Sequence, residues 1–96
     1  MTDNEFNNAR KAAVNALIEW AQTGEGEITM RNAVGDYLVA SCANLPSIGG
    51  EETIIAHRKI ALNRLVIDCM YALSIDELSI VEKELDAIAR NVASVS

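Results

Sequence analysis

Apolar residues recur along this chain at intervals of three and four, with two glycine-rich interruptions and one tight boundary, and that rhythm predicts four helices. Phe6, Ala9, Ala13, Val14, Leu17, Ile18 and Ala21 mark one face of a first helix over about 3–22. Thr2 and Glu5 have capping-box spacing at its start, and Trp20 is placed to cover the rim of a core. Thr23-Gly24-Glu25-Gly26-Glu27 ends it, because two glycines this close favour a turn over a helix. Thr29 is positioned to cap a second helix over about 29–44, with Met30, Val34, Tyr37, Leu38, Ser41, Cys42 and Leu45 on one arc. Gly35 inside it costs about 1 kcal/mol relative to Ala, and the expected reason for it is the close approach of a neighbouring helix. Leu45-Pro46-Ser47-Ile48-Gly49-Gly50 forms the second break, since Pro46 disfavours helical geometry at Leu45.

The third helix is predicted over about 51–73, with Glu51 and Glu52 favourably placed in its first turn. It is apolar on two sides. Ile54, Ile55, Ala61, Leu62, Leu65, Val66, Cys69 and Leu73 fill a wide arc, and Ile60, Ile67 and Tyr71 form a second stripe roughly opposite. A helix apolar nearly all round lies at the centre of a fold or at an interface. The fourth helix, over about 75–93, is the reverse: Leu78, Val81, Leu85, Ile88 and Val92 make a narrow seam between charged flanks. Ser74-Ile75-Asp76-Glu77 is a capping box that fixes its start, and Leu73 and Leu78 are spaced as the accompanying hydrophobic staple. Helices three and four then join almost without a loop, as an antiparallel hairpin. The whole reads as an all-α, four-helix bundle-like single domain over residues 1–96.

Composition sharpens the picture of the core. Half the residues are apolar and only Phe6, Trp20, Tyr37 and Tyr71 are aromatic, so the interior must be aliphatic. Cys42 and Cys69, both within apolar helical patterns, read as two buried thiols. The polar, acidic start of the chain does not resemble a signal peptide, and no apolar run approaches the ~20 residues of a membrane span. The expected location is cytoplasmic.

Charge narrows the choice of partner. The net charge of −6 disfavours phosphate backbones and anionic membranes and favours a protein partner with a basic surface. Glu82, Glu84 and Asp86 on helix four are the acidic face such a partner would meet, and a helical DNA-binding regulator is disfavoured by the same charge. Arg58, Lys59 and Arg64 on helix three are expected to face the acids of helix four across the hairpin. Arg58 falls in the apolar arc, so its head must snorkel past the core, meet a buried acid such as Asp36, or hold a ligand anion.

Catalytic chemistry has little to work with. His57 is the single histidine, and no serine sits in a nucleophile-elbow turn. One histidine and two distant cysteines fall short of a zinc site, and Gly24-Glu25-Gly26-Glu27 lacks the ligand spacing of a calcium loop. No cofactor, no metal and no enzymatic activity are expected.

What remains is the second stripe of helix three. Ile60, Ile67 and Tyr71, together with Ile80 on helix four, exceed what one copy needs to cover, which implies a homodimer or a docked partner helix. In size and character the chain resembles phage-encoded inhibitors, anti-CRISPR proteins among them, and that likeness implies an inhibitor of a larger, nucleic-acid-handling machine. The other reading is a small-molecule or anion-binding helical homodimer with His57, Arg58 and Arg64 lining its pocket.

Overall fold

The computed structural model describes residues 3–42 and 50–95. The Thr2 cap and the Leu45-Pro46 break lie outside the described residues, as do the side chains of Cys42, Glu51 and Val92. Four helices, α1 (Asp3–Thr23), α2 (Glu27–Cys42), α3 (Gly50–Cys69) and α4 (Ile75–Val95), are laid down as two hairpins around one hydrophobic cluster. The four-helix bundle-like, all-α reading of the hydropathy pattern is what the structure has, and no strand occurs among the described residues.

The core is aliphatic, with one exception. Leu17, Met30, Val34, Leu65 and Val81 are wholly buried, each burial being worth about 1.5–3 kcal/mol. Tyr37 is wholly buried too, and its hydroxyl donates to the Ala61 carbonyl at 2.8 Å. That bond offsets the ~1–3 kcal/mol that an unsatisfied buried hydroxyl would cost. The Tyr37 ring also lies 5.8 Å from the ring of Phe6, tilted by 38°. One side chain of α2 therefore ties α1 to α3.

Helix ends depart from the hydropathy pattern where backbone chemistry takes over. Gly24 adopts φ +76° just past α1, and its amide donates to the Trp20 carbonyl at 2.8 Å, closing the helix with a left-handed cap. Gly26 is also left-handed, and its carbonyl accepts from Met30. The corner is complete at Gly26, so α2 starts at Glu27 and Thr29 is an interior residue rather than the cap. At the other hairpin, α3 stops at Cys69, four residues short of the predicted end. Met70 bonds back to Ile67, and both Ala72 and Leu73 bond back to Cys69, so the helix tightens into a turn over 70–72. Gln22 of α1 donates to the Ala72 carbonyl at 3.2 Å, capturing an acceptor the helix has released. The hairpin thus has a five-residue connection where almost none was expected. Its far end is as predicted: Ser74 N donates to Glu77 Oε1 at 2.8 Å and Glu77 N to Ser74 Oγ at 3.2 Å. Leu73 is buried and Leu78 packs against the core.

Gly35 corrects a further expectation. A Cβ built on it would meet nothing within 4 Å, so no neighbouring helix approaches it closely.

Candidate interaction surface

The candidate surface lies on α3 and the side of α1 beside it. α3 buries Leu62, Leu65, Val66 and Cys69. Residues 60 and 67 differ by two turns of α3, so they share a face turned about half a circle from Leu62, and Tyr71 follows in the turn just past the helix end. Ile60 is 65% exposed, Ile67 56% and Tyr71 81%. The stripe is therefore not covered by the rest of the monomer.

Ile80 does not belong to it. Ile80 is half exposed and lies one turn before Glu84, which accepts from Arg31 of α2 at 2.9 Å. The flank of α4 that meets α3 carries instead Glu82 and Asp86, which line a groove with Lys59 and Asn63. The sequence shows Ile80 as another apolar surface position, but only the tertiary arrangement shows which flank it occupies.

The same division splits the acidic face. Asp86 accepts from Lys59 at 3.0 Å and from Arg90 at 3.0 Å, and these two donors hold its carboxyl below the usual range. Glu84 is engaged with Arg31 on the other flank, leaving Glu82 the exposed member of the three. Glu82 and Asp86 thus share one flank, and Glu84 lies on the other.

The basic cluster divides as well. Of Arg58, Lys59 and Arg64, Lys59 pairs with an acid of α4 as expected. Arg64 points the other way and lines a groove with His57, Ile60, Phe6 and Tyr37, so the structure does bring His57 and Arg64 together. Arg58 is not with them. Its Nη1 is buried and has no hydrogen-bond partner among the described residues, and Asp36, the acid considered for it, is exposed.

Sequence reasoning missed the residues that join α1 to this face. Arg10 donates through Nε and Nη2 to both carboxylate oxygens of Asp68, at 2.6 and 2.9 Å. The pair is part-buried, and the bonded carboxylate keeps the guanidinium still more firmly protonated than usual. One groove beside this pair is lined by Asn7, Lys11, Asn15 and Tyr71, and another by Ile60, Asn63, Arg64 and Ile67. The pair spans 58 positions in sequence, and nothing local announces it.

Cys69 lies on the core side of α3 as a free thiol, and burial, aided by the charge of Asp68, pushes its pKa up to about 11. Among the described residues no group of three or more His, Cys, Asp and Glu is placed to hold a metal ion, and no helix is long and apolar enough to cross a membrane. No protein family, no curated protein and no solved structure matches the chain.

Proposed function

We propose that this chain is a non-enzymatic protein-interaction module that engages its partner through the outer face of α3. The observation that carries the reading is the exposed row Ile60, Ile67 and Tyr71, with Met70 exposed beside it. Large apolar side chains grouped on one side of a molecule and left in water favour association, whereas singly scattered ones do not. The acids of α4 are weaker candidates for the contact, because Glu84 and Asp86 already have internal partners. The overall charge of −6 gives them a different use. An acidic body held against a nucleic-acid-handling protein repels that protein's polyanionic substrate, so the biological role we assign is inhibition of such a machine, of the anti-defence kind.

The test is affinity capture with the wild-type protein and with Ile60→Glu/Ile67→Glu, alongside solution mass by light scattering. A protein retained by the wild type and lost with the variant supports the module. Identical capture by both removes it. A mass of twice 10.4 kDa that the variant halves replaces it with the helical homodimer, in which the groove holding His57 and Arg64 becomes the candidate anion pocket.

A further inference from the structure

Resting on that reading, we infer that the outer α1/α3 face is built for an acidic, amphipathic protein segment rather than for a basic partner or a second copy of this chain. The molecule as a whole is acidic, but this face is not. Across the three grooves that adjoin the Arg10–Asp68 pair and the α3 row, the lining cations are Arg10, Lys11 and Arg64, with His57. The lining acids amount to Asp68 alone, and Arg10 neutralises it. Lys11 and Arg64 are exposed, and neither has an ion-pair partner among the described residues. They line two grooves that share the Arg10–Asp68 pair. Lys11 thus lies beside, and Arg64 within, the exposed apolar row of Ile60, Ile67 and Tyr71.

A second copy fits this strip poorly. In an antiparallel two-fold pairing that sets Ile60 against Ile67 of the other copy, the axis passes between residues 63 and 64. Arg64 would then lie close to Arg64 of the other copy while the one acid of the face, Asp68, is already bonded to Arg10, and like charges so juxtaposed oppose association. A nucleic acid fits poorly as well. Its phosphates would cover the cations and leave the isoleucines in water. A segment with carboxylates flanking an aliphatic or aromatic residue satisfies both chemistries, as an amphipathic helix does in a groove.

The probe is an unbiased library of random 16-residue peptides displayed on phage, selected on the intact protein and counter-selected on Lys11→Glu/Arg64→Glu. The expected winners carry net negative charge and at least one large apolar residue. They should lose about tenfold or more in affinity for the charge-reversed variant, and their NMR shift changes should centre on Ile60, Ile67 and Tyr71. Winners that are basic or without charge bias, or that bind the variant equally, overturn the inference. So does a labelled single-stranded oligonucleotide that binds the same face, or a dimer in light scattering that Arg64→Glu strengthens or leaves unchanged. Basic winners mapping to α4 overturn this assignment while leaving the interaction module standing. No winners above background counts against both.

Discussion

α3 and α4 belong to one hairpin and each sends a single arc of side chains inward, yet the surfaces they keep are opposites. On α4 two of the flanking acids are engaged within the molecule: Glu84 reaches Arg31 of α2, and Asp86 takes Lys59 of α3 and Arg90 of its own helix. Such exposed pairs are weak, but they leave Glu82 as the exposed acid among Glu82, Glu84 and Asp86. On α3 the outer face exposes Ile60 and Ile67, and Arg64 between them has no ion-pair partner among the described residues. The difference teaches that formal charge and local charge are separate quantities. Acids and bases are spread evenly along this sequence, and it is the fold that pairs Glu84 and Asp86 on α4 while leaving Lys11 and Arg64 without an ion-pair partner among the described residues.

The comparison breaks most sharply along α3 itself. Leu65→Ala should cost about 2–5 kcal/mol in urea denaturation, because it empties a wholly buried site. Ile67→Ser, two positions on but facing water, should change stability by about 0.5 kcal/mol or less while weakening partner capture. Comparable costs at the two positions would mean that Ile67 is covered, and the exposed row would cease to exist.

Cys69 and Tyr71 offer the same contrast in chemistry. Cys69 is buried against the core, whereas the Tyr71 ring stands in water. A folded-state pKa raised from 9.0 to about 11 means that the native protein holds the thiol proton after the unfolded chain has released it. The stability this supplies is complete below pH 9 and is lost as the pH rises through 11, an effect on the order of 2 kcal/mol. Comparing denaturation midpoints of the wild type and Cys69→Ala across that window isolates it from the other groups that titrate there. A wild-type slope that Cys69→Ala leaves unchanged would show the thiol to be accessible and the inner arc of α3 to be looser than its packing implies.

How much of this was legible beforehand follows a physical line. Local rules that act within one turn were readable: the Ser74–Glu77 box is bonded as its spacing dictates, and the seam of Val81, Leu85 and Ile88 is buried as its period dictates. The doubly apolar character of α3 was readable as well, since periodicity places Ile60 and Ile67 opposite Leu62 without any tertiary knowledge. Rules that need the third dimension were not. The early end of α3 has no glycine or proline to announce it, because the turn is held by backbone bonds to Ile67 and Cys69 and by Gln22 from α1. Ile80 could not be assigned a flank, nor Glu84 separated from Asp86, without knowing that Arg31 of α2 reaches Glu84 while Lys59 of α3 takes Asp86. Arg10–Asp68, which organises the α1/α3 face, joins residues on two helices that the sequence reading never paired.

Gly35 is the smallest test and it sharpens the comparison from the opposite side of the molecule. α2 also exposes apolar residues, Ile28 and Val39, and a glycine between them could be taken for a docking notch. Its surroundings argue otherwise. The backbone there is not left-handed, and a methyl group would meet nothing within 4 Å, so nothing in the fold requires glycine. Gly35→Ala should therefore stabilise the protein by about 0.5–1 kcal/mol, through reduced freedom of the unfolded chain and better helix propensity. Affinity for acidic peptides should be unchanged, because the α1/α3 face is untouched. If the substitution instead stabilises the fold and abolishes binding, the partner sits on α2, and the unmatched cations of α1 and α3 are an ordinary solvated surface.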